Sequence, residues 1–227
     1  MRPVARVINS TAVNTSATSK VLRNTYTLLA ITLLFSAVTA GISMAINPPS
    51  FTGIVCSLVA MGLIWFALPR TANSAAGLGV VFAITGLLGF GLGPVLSHYL
   101  NMPNGSQIVM QALGTTGVVF IALSAYVLVT KKDFSFLGGF LAAGMIVAIV
   151  SMLVVLVAGL FGYPMPGVAL GLSALVALLM CGFILFDTSR IINGGETNYI
   201  LATIGLYLSI YNLFVTLLQL MGALNDD

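Results

Sequence analysis

Asp187 is the one acidic residue that the sequence places inside a long apolar stretch, and Arg190 follows it three positions later. Residues three apart on a helix are neighbours, so two roles are open to Asp187: an interfacial ion pair with Arg190, or an ionisable functional group within an apolar span. Glu196 lies in the same short connection as Arg190; it reads as solvated, with an approach to Asp187 across the tight turn as the alternative. Farther along, Gly205, Ser209, Asn212, Thr216 and Gln219 recur at alternating spacings of four and three, which gathers small and polar side chains on one helical face. Amides turned to lipid are costly, so this face must look at other helices or at a water-filled cavity, with its helix near the centre of a bundle. Structural hydrogen bonding is one reading of it. The other is a lined permeation path, with Asn212, Thr216 and Gln219 as pore-lining candidates.

Catalytic chemistry lacks its required groups. A retinal protein needs a lysine within a helix, and Lys20, Lys131 and Lys132 all lie outside the apolar stretches. A presenilin-like protease needs two membrane aspartates. Ser173, in Gly171 to Ala174, would need a helix-borne histidine as its base; the sole histidine, His98, is expected near the opposite end of another helix and reads as a surface residue. Cys56 and Cys181 belong to no CxxC pair, metal-ligand spacing or disulfide framework and read as packing residues. The expectation is therefore no enzyme, no catalytic residue, no bound metal and no resident cofactor.

The elements that must position these residues follow from composition. At 227 residues with 59% hydrophobic and 6% charged, the chain lacks the polar surface of a water-soluble globule, and the bilayer must be its solvent. A hydrocarbon core about 30 Å thick takes about 20 helical residues. Seven apolar stretches meet that length, near Tyr26 to Ile46, Phe51 to Leu68, Ala76 to Ser97, Ile108 to Val129, Leu137 to Phe161, Val168 to Asp187 and Tyr199 to Ala223. The expected fold is an all-α membrane protein. A β-barrel alternation is absent. The first stretch, long and without an evident cleavage site, reads as a retained helix.

Every Lys and Arg falls in alternate gaps: Arg2, Arg6, Lys20 and Arg23 before the first stretch, Arg70 after the second, Lys131 and Lys132 after the fourth, Arg190 after the sixth. By the positive-inside bias, the amino terminus is expected in the cytoplasm and the carboxyl terminus outside. The net charge of +3 is spread over four short segments, which excludes a nucleic-acid-binding face. Residues 1–22, rich in Ser, Thr, Asn and Ala, read as a flexible cytoplasmic tail, and residues 23–227 as one bundle. Gly86, Gly89 and Gly93, and again Gly138, Gly139 and Gly144, invite close helix packing or a hinge, and Pro94 is expected to kink or break its helix.

Phe186-Asp-Thr-Ser189 closing the sixth stretch, followed by Leu206-Tyr-Leu-Ser-Ile-Tyr-Asn-Leu-Phe214 in the seventh, resembles the Bax inhibitor-1 (transmembrane Bax inhibitor motif) family. Lys20 to Tyr26, Gly89 to Pro94, Ser124 to Tyr126, Asp133 to Gly139 and Gly194 to Tyr199 look like its bacterial YccA-like branch. The resemblance covers nearly the whole chain. It implies seven helices with six surrounding the last, in a bacterial inner membrane, with the carboxyl terminus periplasmic. It further implies one of two functions. In the bacterial branch, the role is that of modulator and substrate of the membrane-anchored, ATP-dependent FtsH-type protease, which would grip the tail. In other members, it is a pH-sensitive calcium or cation leak in which two aspartates share the gate. Asp187 matches the first aspartate and Ser209 stands at the second, so Asp187, Ser209 and Arg190 are the gate and pH-sensing candidates. Calcium is at most a transient ligand there, with protons the other candidate, because one carboxylate and scattered hydroxyls supply few oxygen ligands.

Overall fold

The computed structural model describes the backbone of residues 4–225 and the side chains from Thr18 onward. Among the described residues there are seven long helices: α1 Val4–Ile46, α2 Thr52–Thr71, α3 Ala76–Leu100, α4 Gly105–Thr130, α5 Leu137–Leu160, α6 Pro166–Ile192 and α7 Tyr199–Asn225. Each is long and apolar enough to cross a membrane, α1 through its Thr18–Ile46 portion. No strand occurs among the described residues. This is the expected all-α membrane protein of seven spans.

Local chemistry sets the helix ends. The Asn193-Gly194-Gly195 run stops α6, which ends at Ile192, and Gly194 takes φ +75°, a left-handed turn that glycine makes without steric cost. Asn198 caps α7, its Oδ1 accepting from the Ile200 N–H at 2.9 Å while its Nδ2 donates to Ala72 O at 3.0 Å and Asn73 Oδ1 at 2.8 Å. Within α2, Leu63–Ala67 widens to a π turn and the Leu68 N–H bonds to Leu63 O. Pro69 follows immediately and has no N–H of its own to donate.

Two local expectations are corrected. Pro94 does not break α3, which runs through it to Leu100; the lost backbone bond is carried by a helix clamped along its length against α1. The first helix reaches back to Val4, ahead of the apolar stretch expected near Tyr26 to Ile46. The sequence-based reading of flexibility in the tail rests on side chains before Thr18, which lie outside the described residues.

The last helix is the most buried of the seven spans. It packs against α1, α3, α4 and α6; α2 leans mainly on α3, and α5 on α6. Thus four of the six other helices make its principal contacts, and two stand outside them. Tyr207, fully buried, shares a hydrogen bond with Ser36 Oγ at 2.7 Å and approaches Thr85 O at 3.3 Å, tying α7 to both α1 and α3. Gly89 and Gly93 let α3 lie against Ser36 and Ser43 of α1, where a Cβ would collide. The glycine-rich run is therefore close packing here.

Candidate functional site

Asp187 sits in the last turns of α6 with its carboxylate against α7. At Gly205 a Cβ would fall 3.0 Å from Asp187 Oδ2, so only glycine leaves the carboxylate this room. Asp187 is half-buried and has no hydrogen-bond or ion-pair partner among the described residues. Arg190 turns elsewhere. Its Nη2 donates to Glu196 Oε2 and to Gly195 O, each at 3.3 Å, and its guanidinium stands 5.5 Å from the centre of the Phe186 ring. The ion pair with Asp187 that spacing allows is not formed; Glu196, read from sequence as solvated, takes the arginine.

Ser209 is buried one turn along α7, and its hydroxyl donates to Gly205 O at 3.1 Å. It satisfies itself on its own helix and makes no hydrogen bond to Asp187. Of the three gate candidates, the structure thus sets Asp187 and Ser209 on facing helices and points Arg190 away.

The pore-lining candidates lie together. Asn212, Thr216 and Gln219 line a cavity of about 790 Å³ at the His98 end of the bundle, between α7, α6 and α5. Asp187 and Ser209 are not among its lining residues. Seven residues separate Gly205, at the level of Asp187, from Asn212 at the cavity floor, about 10 Å along a helix. Ile184, Leu213 and Leu141, all nearly inaccessible, belong to one apolar cluster contributed by α6, α7 and α5. The polar face is therefore divided: its upper part borders a cavity and its lower part is sealed in protein.

Most of its hydrogen-bonding capacity is spent inside the helix. Asn212 Nδ2 donates to Leu208 O at 2.8 Å, and Thr216 Oγ1 to Asn212 O at 2.8 Å. Gln219 differs, because its Oε1 accepts from Ser173 Oγ at 2.9 Å while its amide nitrogen has no acceptor among the described residues. His98 and Ser173, expected far apart, border the same cavity. That expectation failed although the alternation of the spans allows the meeting: the third span ends and the sixth begins at the same face of the bundle, with His98 and Ser173 each near that face. No hydrogen bond joins the pair, and the Ser173 hydroxyl is spent on Gln219 and on Ala169 O.

A second cavity, of about 810 Å³, lies at the basic end among Thr18, Leu22, Lys131, Asn193 and Glu196. There the α4–α5 connection is latched to α6: Ser189 Oγ accepts from Phe134 N at 2.8 Å, while Asp133 Oδ1 accepts from the Ser135 hydroxyl and N–H. Those hydrogen bonds, the side-chain one foremost, hold the Asp133 carboxyl below its usual range. Ser189 and Asp133 escaped the sequence reading as a pair because 56 positions separate them. Among the described residues no three His, Cys, Asp or Glu converge as a metal group, and Asp187 offers one carboxylate where calcium takes six to eight oxygens.

Seven apolar spans, the last of them the most buried, with the Asp187 carboxylate at the basic end and a divided polar face, define a polytopic membrane protein. The chain belongs to the Bax inhibitor-1 family: the family model described as inhibitor of apoptosis-promoting Bax1 matches residues 18–226. It is 48% identical over 224 residues to the modulator of FtsH protease YccA of Escherichia coli K12, covering 98% of this chain and 99% of that protein. An uncharacterised membrane protein of Vibrio cholerae is 49% identical over 214 residues, 94% of this chain and 93% of that one. A more distant relative, an uncharacterised protein of Campylobacter jejuni, is 32% identical over 210 residues, 90% and 89% of the two chains.

Proposed function

We propose that this chain is a bacterial inner-membrane protein that modulates, and is itself degraded by, an FtsH-type membrane-anchored protease, acting through protein contacts without chemistry of its own. The observation that carries this reading is the near end-to-end similarity to a protein named as a modulator of that protease. By the positive-inside bias, the basic end faces the cytoplasm, so the amino terminus lies on the side where an ATP-driven unfoldase works, and the carboxyl terminus is periplasmic. Residues ahead of Thr18 precede the membrane span and serve as the grip, while the packed bundle resists extraction and slows the protease on other clients. Deleting residues 2–17 leaves every span intact. It should lengthen the chain's half-life several-fold in cells carrying the protease and abolish co-purification with it; unchanged turnover and capture would remove the reading.

The second reading is a pH-sensitive calcium or cation leak. The cavity that reaches Asn212 from one side and the unpartnered Asp187 on the other favour it, and conduction would require the protein packed around buried Ser209 to part. Calcium flux into proteoliposomes no greater than into empty vesicles between pH 6 and 8 would dismiss it.

A further inference from the structure

The cavity beside α7 is bordered on one side by α5, the helix with the lowest buried share of the seven spans. This helix leans on α6 and makes no extended contact with α7. Met152 and Leu156 line the cavity and yet are 66% and 60% exposed, so the opening is lateral, through side chains that belong to the lipid-facing surface. No Asp, Glu, Lys or Arg lines it. Its volume, about 790 Å³, falls among the roughly 300–1,000 Å³ of small-molecule sites.

Depth identifies the occupant. The last helix has 27 residues, about 40 Å at 1.5 Å per residue, which matches a bilayer with its interfaces around a core of about 30 Å. Gln219 stands six residues before the end of α7, about 9 Å in, just below the headgroups. Asn212 stands about 20 Å in, at the midplane. The cavity therefore spans one leaflet from the ester level to the centre. Along that depth, Asn212 and Thr216 have turned their donors to the helix backbone, while Gln219, exposed at the cavity mouth, has its amide nitrogen free of any acceptor among the described residues.

We propose that this cavity holds one acyl chain of a bilayer phospholipid, entered laterally between α5 and α6, with the chain's ester carbonyl accepting a hydrogen bond from Gln219 Nε2. The chain lies between the α7 wall and Met145, Ile149 and Met152 of α5, and fills the space by which α5 stands off from α7. Because no charge lines the cavity, occupancy depends on the chain and is indifferent to headgroup charge. The site is independent of the protease reading and holds whichever way the chain faces.

The test uses the full chain reconstituted in phosphatidylcholine vesicles containing a trace of phosphatidylcholine with a mid-chain diazirine, photolysed and mapped by mass spectrometry. Adducts are expected on the half-buried Val176 and Val215 inside the cavity, beyond the background on the lipid-facing Phe140 and Leu178. Filling the cavity with Ala169→Trp, or with Val176→Phe read at Val215 should the first variant misfold, should cut the Val215 yield at least fivefold while Phe140 stays constant. Gln219→Leu should cut it several-fold, and replacing half the carrier lipid with phosphatidylglycerol should leave it unchanged. Adducts confined to Phe140 and Leu178, equal Val215 yields in parent and filled variants, or oxidation of Met145 and Met180 by hydroxyl radicals without Val215 adducts, the sign of a water-filled cavity, would each overturn the proposal. A fivefold preference for phosphatidylglycerol would replace it with headgroup recognition.

Discussion

Arg190 reaches forward to Glu196 at 3.3 Å and leaves Asp187, three residues behind it, without an ion-pair partner among the described residues. The choice is geometric. Asp187 faces inward to Gly205 of α7, whereas the guanidinium lies over Phe186 and reaches the loop that follows α6. One charge pair thus closes the basic end of the α6–α7 hairpin, while the carboxylate nearest the polar face stays unneutralised by contact.

Glu196→Gln should therefore cost the hairpin, and Asp187→Asn should not. Arg190 is 36% exposed and Glu196 17%, so solvent screens the pair and its loss is worth about 0.5–1 kcal/mol. Asp187→Asn removes a half-buried charge that no contact neutralises and should leave stability unchanged or raise it by up to about 1 kcal/mol. Unfolding of both variants in detergent, at low and high salt, separates the two; a large loss on Asp187→Asn would show a partner the contacts do not.

Gly205→Ala tests the contact that gives Asp187 its room. Alanine gains about 0.5–1 kcal/mol in helix propensity but pushes its Cβ to 3.0 Å from Oδ2. In a double-mutant cycle, the alanine should be better tolerated by about 1 kcal/mol when Asp187 is also alanine. A coupling near zero would mean that the two helices slide apart freely at this level.

Asn198 caps α7 and ties it to the end of α2. Asn198→Ala loses the bonds to Ile200 N, Ala72 O and Asn73 Oδ1 and should cost about 1–2 kcal/mol. Asn198→Asp keeps the cap and forfeits only the donated bonds, so its melting temperature should fall between those of the parent and the alanine variant.

Tyr207→Phe leaves the Ser36 hydroxyl buried without its 2.7 Å partner. It should destabilise by about 1 kcal/mol. Adding Ser36→Ala should restore part of that loss, since both partners of the bond are then gone; strictly additive losses would deny the bond any energetic role.

Acid should loosen the α4–α5 connection. The hydrogen bonds from Ser135 lower the Asp133 carboxyl from its usual 3.8, so the folded state favours the charged form. That contribution is present above the unfolded value and is lost as pH falls through the folded one, which places the loss below about pH 4. Amide exchange of residues 133–137 should rise there in the parent, and Asp133→Asn should show the faster exchange already at neutral pH.

The separation of legible from illegible features has a physical basis. Seven spans were readable because lipid imposes a length and a composition on each helix independently of its neighbours. The polar face of α7 was readable by period, and its burial followed from the cost of amides in lipid. Pro94 shows where local rules end: the missing N–H weakened α3, but packing against α1 outweighed it. The partner of Arg190 shows the same at side-chain scale, since spacing allowed Asp187 as readily as Glu196.

The amino-acid order alone determined how many helices cross, which ends carry the positive charge and which face of the last helix avoids lipid, because each is a transfer energy summed over one segment. Tertiary structure alone decided that the same face is sealed at Ser209 and open at Asn212, and that His98, Ser173 and Gln219 border one cavity. It also decided that α2 and α5 stand outside the ring of principal contacts on α7. Those outcomes depend on distances between helices, set by the packing of side chains from several segments at once.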